Sequence, residues 1–313
     1  MKLRPLIIAL CIPAAFTVNA ETNHAGVTPD GINADISLGS LSGKTKERVY
    51  SSRDGSKLSQ LDWKYNNAAI IKGALNWDVT PWVTFGAAGW TTIGQRGGFM
   101  TDTDWEGVDT NDWTARSWHP NTRLKYANEW DLNITGWLLK EQGYRLGVMA
   151  GYKENRYSFN AAGGPWVDTN FETGEQISGT DSLDRKVIGY KQRFRMPYIG
   201  LTGSYRYGNV DFGGAFKYSG WVHSSDNDEH YMRTTTFRGS IKNQNYYSVT
   251  ANAGYYITPN ARVYVEGTWN RITNKKGDAT QYDYGNGDFA KHPGGMGIEN
   301  YNFIATAGLK YTF

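Results

Sequence analysis

Between Ser224 and Tyr231 the chain reads SSDNDEHY, three acids and a histidine within eight residues. Asp226, Asp228 and His230 occupy alternate positions, so in extended chain they share one face, and so do Asp102 and Asp104 in MTDTDW. The chemistry open to such a set is limited but coherent. A carboxylate bonded to one imidazole nitrogen fixes the tautomer and raises the basicity of the other. A histidine held in that way can take a proton from water as the water attacks a carbonyl. Two carboxylates opposite would hold that water and raise one another's proton affinity. Spacing alone leaves two other readings open. One is a solvated turn that happens to contain a histidine. The other is a calcium loop, although no glycine-centred ligand loop follows either Asp-x-Asp. Thiol catalysis is excluded after export, because the single cysteine, Cys11, lies in the leader.

The elements that would position these residues are strands. Residues 1–20, MKLRPLIIALCIPAAFTVNA, have a basic start at Lys2 and Arg4, an apolar stretch from Leu6 to Phe16, and small residues ending at Ala20. This predicts a secretory signal, removed to leave residues 21–313 as one domain beginning at Glu21. Loss of Lys2 and Arg4 leaves 31 basic residues against 30 acidic ones, a balance that argues against a nucleic-acid partner. No later stretch approaches the roughly 18 apolar residues of a spanning helix. Yet 21 Tyr, 12 Trp and 37 Gly fit a membrane β-barrel with aromatic girdles.

Period-two alternation supports that class. Counting back from Phe313 gives Tyr311, Leu309, Ala307, Ala305 and Phe303 on one face, against Thr312, Lys310, Gly308, Thr306, Ile304 and Asn302 on the other. The pattern returns at Phe212–Tyr218 and at Ala261–Trp269. Tight-turn signals fall at Val79–Pro81, Glu141–Gly143, Tyr207–Asn209 and Thr258–Asn260. Longer polar segments, roughly 50–56, 96–123, 160–184, 223–244 and 273–299, lie between them. Short turns alternating with long loops predict an all-β fold, a ten-stranded antiparallel transmembrane β-barrel. Both acidic stretches then belong to loops at one rim. The run Arg145–Asn160 predicts a strand longer than the bilayer requires, which would lift that rim clear of lipid.

The lipid-facing side of that run carries an anomaly. Leu146, Val148, Ala150 and Tyr152 continue into Glu154 and Arg156, and the next strand brings Arg193 and Arg195 onto the face of Ile199 and Leu201. Such charges are tolerable near the headgroups, where guanidinium pairs well with phosphate. Ordinary girdle charges that snorkel to water are the competing reading.

The segments LSGKTKERVY, SQLDWK, DTDW, NEWDLN, AGYKENRYSF, MPYIGL, SDNDEHY and AGLKYTF, with others through the mature chain, resemble the omptin family, the ten-stranded outer-membrane endopeptidases of Gram-negative enteric bacteria. The resemblance implies cleavage of peptide bonds next to basic residues by water, without a covalent enzyme intermediate. Asp228 and His230 match the family's Asp–His dyad, and Asp102 and Asp104 its aspartate couple. Glu47 and Asp226 match the acids of the pocket for the residue before the cleaved bond; from pattern alone Glu47 reads as a strand-end charge. One departure occurs in WTARSWHP, where Ala115 stands in place of the family's usual acid, so small or apolar residues are expected after the cleaved bond. The resemblance also implies a requirement for lipopolysaccharide, bound by Tyr152, Glu154, Arg156, Arg193 and Lys242. Strict alternation from Val249 and Ala251 points Lys242 inward, and a β-bulge would be needed to turn it out. No metal or other cofactor is expected.

Expected substrates are cationic antimicrobial peptides, which an acidic cleft attracts, and plasminogen by family resemblance alone. Three other readings compete. A porin needs a wider lumen than ten strands enclose. A barrel phospholipase needs a serine and an orienting group, and no such set surrounds His24, His119, His223 or His292. A non-enzymatic adhesin on the same barrel remains an alternative.

Overall fold

The computed structural model describes residues 31–105, 112–170 and 173–313; the signal segment 1–20 and His24 lie outside them. Thirteen strands form one antiparallel sheet closed on itself. They are β1 (Ile32–Tyr50), β2 (Lys57–Thr80), β3 (Val83–Thr92), β4 (Arg96–Asp104), β5 (Ala115–Glu141), β6 (Tyr144–Ala162), β7 (Pro165–Thr169), β8 (Gln176–Thr180), β9 (Lys186–Tyr207), β10 (Val210–His230), β11 (Thr235–Tyr256), β12 (Ala261–Asp283) and β13 (Phe289–Thr312). Closure comes from β1 on β13, with Ile36 opposite Leu309. β3 and β4 make one stave in two pieces: the lower part of β2 pairs with β3 and its upper part with β4. β7 and β8 form a hairpin hung on the upper end of β5. The barrel therefore has ten staves.

Turns at residues 81–82, 142–143, 208–209 and 257–260 close the lower rim, where the sequence places them. Gly143 and Gly208 take the positive φ that tight turns demand. Outward parity holds through the lower half: Leu38, Val265, Phe303 and Leu309 are exposed, while Ser37, Tyr264, Asn302 and Thr306 are buried inside. Among the described residues no helix is long and apolar enough to cross a membrane. Closing the ladder pairs the backbone groups of the ten staves with one another, so no edge is left free within the apolar band.

The upper half corrects the expected loops. Much of 96–123, 223–244 and 273–299 is strand, and β5 alone runs 27 residues where about 9–11 cross the hydrocarbon. Once a strand rises above lipid, water meets its outer face. The apolar half of the alternation then disappears from the sequence while the hydrogen-bonded ladder continues.

Side chains fill the lumen beneath this raised wall. Trp63 stacks on Tyr190 at 5.3 Å and lies 5.4 Å from Phe159, and Tyr65 and Phe194 extend the cluster through Phe159 and Tyr157. Lower down, Lys153 meets Glu129 at 3.0 Å and Lys217 meets Asp131 at 2.6 Å. Breaking such a buried pair by removing one partner costs about 3–5 kcal/mol. This plug floors the upper cleft and occupies the path that a pore would need.

Candidate active site

β10 delivers Asp226, Asp228 and His230 to the inside of the raised wall, and β4 delivers Asp102 and Asp104 from across the barrel. Both sets stand on strands, not on loops, so their positions are fixed by ladder hydrogen bonds. They line one cleft of about 570 Å³ together with Glu47 of β1. All five sequence-predicted acids and His230 therefore converge, with Asp102 opposite Leu61 of β2 in register.

His230 Nε2 lies 2.6 Å from Asp228 Oδ2, and Asp228 is 2% exposed. Phe237 sets its ring edge-on to the imidazole at 5.4 Å. Arg233 Nη2 donates to His230 Nδ1 at 2.7 Å. A guanidinium has donors only, so Nδ1 must be accepting and the ring proton sits on Nε2, given to Asp228. The sequence reading missed Arg233, which stands three residues past the histidine in the short turn to β11.

The acids are buried close to one another. Asp226 accepts from Gly239 N at 2.7 Å and from the Tyr190 hydroxyl at 3.2 Å, yet burial and the charge of Asp228 push its carboxyl up to about 7. Burial, then Asp228, Asp226 and Asp102, hold Glu47 well above the usual carboxylate range. Its Oε2 is buried with no hydrogen-bond partner among the described residues. Glu47 is therefore an inward acid, not a strand-end charge. Burial and neighbouring Asp104 raise Asp102 as well, against a hydrogen bond from Ser59 at 3.2 Å. Burial and mutual charge thus favour the protonated forms of these acids, and a cation placed among them would favour the ionised forms. Gly239 is required by space, since a Cβ there would stand 1.7 Å from Met296 Sδ and 2.7 Å from Asp226 Oδ1.

A second cleft of about 370 Å³ adjoins the dyad on the side of β5 and β7. Ala115 lines it, opposite Asp168 in register, with Arg116 beside it. His119 also lines this cleft, fixed between the Ala162 carbonyl at 2.7 Å and Ser117 Oγ at 2.8 Å; burial lowers its proton affinity. Arg233 and His230 border both clefts, so the dyad sits where they meet.

On the outer wall Tyr152 packs on Trp130 at 5.5 Å. Glu154 is buried and gives one oxygen to Arg156 at 2.6 Å and the other to Arg193 at 2.7 Å. Lys242 is exposed while Ile241 and Gln244 on either side point inward. The β10–β11 register shifts between Val222 and Ser224, and Asn243 takes φ 58°. This irregularity is the bulge needed to turn Lys242 outward, onto the same wall as Arg193.

The omptin family model matches residues 28–313. Protease 7 of Escherichia coli (strain K12) is 60% identical over 319 residues, covering 100% of both chains. The outer membrane protease IcsP of Shigella flexneri is 51% identical over 315 residues and the plasminogen activator of Yersinia pestis 42% over 317, again across 100% of both chains. The crystal structure of outer membrane protease OmpT from Escherichia coli matches with a TM-score of 0.89 at 62% identity, covering 94% of this chain and 99% of that one. A closed ten-stave barrel, a family match through the described chain and full-length protease relatives lead to one conclusion: the chain belongs to the omptin family of outer-membrane proteases.

Proposed function

We propose that this peptidase hydrolyses the bond after arginine or lysine, in a cleft facing the cell exterior, with water as the nucleophile. The observation that carries this reading is the His230–Asp228 hydrogen bond of 2.6 Å within a cleft walled by four further acids. A substrate cation enters between Glu47 and Asp226 and displaces their protons, because a buried guanidinium demands a paired carboxylate. The scissile carbonyl then lies between the dyad and the Asp102–Asp104 couple. Water held by the couple loses a proton to His230 Nδ1 as its oxygen attacks the carbonyl carbon. Asp228 stabilises the imidazolium that forms. The proton passes to the departing amine as the C–N bond breaks, so no enzyme bond to substrate forms.

Arg233 must leave Nδ1 before this step. Residues after the cleaved bond enter the smaller cleft, where Ala115 offers no charge and small or apolar side chains fit. The proposed lipid activator is lipopolysaccharide, whose phosphates suit Arg156, Arg193 and Lys242 on the outer wall. Cationic antimicrobial peptides are the substrate class that an acid-lined cleft would concentrate. One relative is named plasminogen activator, and plasminogen is a further protein to assay. Turnover in the presence of hydroxylamine tests the route: an acyl-enzyme would partition to a hydroxamate, and the expected result is the free carboxylate product alone. A trapped covalent intermediate would refute it.

A further inference from the structure

Glu154 opposes Arg195 in register, yet both its oxygens are taken by Arg156 and Arg193. Arg195 is left without an ion pair among the described residues, and its Nε is buried with no hydrogen-bond partner. Across the next strand its register partner is His223, which faces outward between the buried Val222 and Ser224. His223 Nε2 reaches Ser240 Oγ of β11 at 3.1 Å, two residues before the outward Lys242. Arg195 and Lys242 are the charges that act on His223, and both, with burial, lower its proton affinity. Four cations on this wall thus share one carboxylate, and the surplus is concentrated on the Arg195 side.

Like charges gathered without a counter-ion repel one another, and they are stabilised by an anion that supplies the missing acceptors. Alternate residues along a strand stand about 6.6 Å apart, so the Arg195 row lies one step from the Arg156–Arg193 row. We propose that Arg195, His223 and Lys242 form a second phosphate subsite, separate from the Glu154-centred pair, which reads a second phosphate on an outer-leaflet glycolipid. Arg195 supplies the guanidinium fork, Lys242 a mobile ammonium, and His223 an imidazole donor from the strand between them. This subsite rests on the lipid-activator reading above and adds to it: the headgroup is recognised by phosphate number, not by charge alone.

The test is calorimetric titration of the refolded full-length protein in detergent with bisphosphorylated lipid A, monophosphoryl lipid A and inorganic phosphate. Wild type is compared with Arg195→Gln, His223→Ala and the pair together. The expected result is about tenfold weaker binding of bisphosphorylated lipid A by Arg195→Gln, the loss of one charge-assisted hydrogen bond. Monophosphoryl lipid A should bind the variant and wild type alike, which also shows that the variant folds. Equal weakening for both lipids, or for neither, would overturn the second subsite. Inorganic phosphate competing at similar concentration in place of lipid would overturn the glycolipid assignment. Failure of wild type to bind either lipid would instead refute the lipid-activator reading itself.

Discussion

His230 has Asp228 on one ring nitrogen and Arg233 on the other, so the base nitrogen is already occupied at rest. The donor is a charged guanidinium, but on an exposed residue where solvent screens it, so the bond is worth about 1 kcal/mol net, which corresponds to several-fold in rate. Arg233→Gln should therefore raise kcat/KM about two- to fivefold on a short arginyl peptide. A tenfold loss would show instead that Arg233 holds the imidazole in its working orientation. The pocket acids carry a pH prediction of definite sign. Asp226 titrates at about 7, and only its ionised form attracts a substrate guanidinium without first losing a proton. KM for an arginyl peptide should fall as pH rises through about 7, and Asp226→Asn should flatten that dependence. Unchanged KM between pH 5 and 8 in the wild type would contradict the assignment. At this scale the sequence revealed the acids and the histidine, because their alternate spacing survives in the strands. It did not reveal Arg233, whose role depends on the sharp turn between β10 and β11 and not on any periodic signal.

Strand pairing decides what lies beyond the cleaved bond. Ala115 at the start of β5 pairs with Asp104 of β4 on one side and Asp168 of β7 on the other, and Asp168 and Asp181 are the acids of the smaller cleft that lie outside the aspartate couple. Ala115→Asp should add a carboxylate close to the dyad and raise the preference for lysine after the cleaved bond about tenfold, as a charge-assisted pair would. If the wild type already prefers lysine strongly there, Asp168 or Asp181 supplies the charge, and Asp168→Asn or Asp181→Asn should remove the preference. Parity read from sequence located the lower strands and all four turns. It stopped at the lipid boundary, where outer faces become polar and the continuation of β4, β10 and β12 resembles loop. Lys242 shows the same limit in one residue: strict alternation fails where a bulge at Asn243 inserts an extra position.

For the molecule as a whole, an apolar band anchors the barrel, an aromatic and ionic plug closes its lumen, and the raised wall carries the cleft above. The proposed lipid site on the outer face reaches β9, the neighbour of the β10 strand that carries the dyad, and Arg193 of β9 pairs with Ser225, the residue before Asp226. Under the proposed lipid activation, lipid bound at Arg193 would act on the strand that carries the dyad. Lipid-free protein should be nearly inactive, and Arg193→Ala should need about tenfold more lipopolysaccharide for half activation, with kcat recovered at saturation. Full activity in lipid-free detergent would contradict this coupling.

The central claim is that His230 takes the proton from the attacking water. Its most direct test is cleavage of a quenched fluorescent peptide with one Arg–Ala and one Arg–Lys bond by the lipopolysaccharide-loaded protein, beside an equally folded His230→Ala variant. The account predicts cutting after arginine by the wild type and a loss of about 10²–10⁴ in kcat for the variant. Retention of wild-type turnover without the imidazole would contradict it.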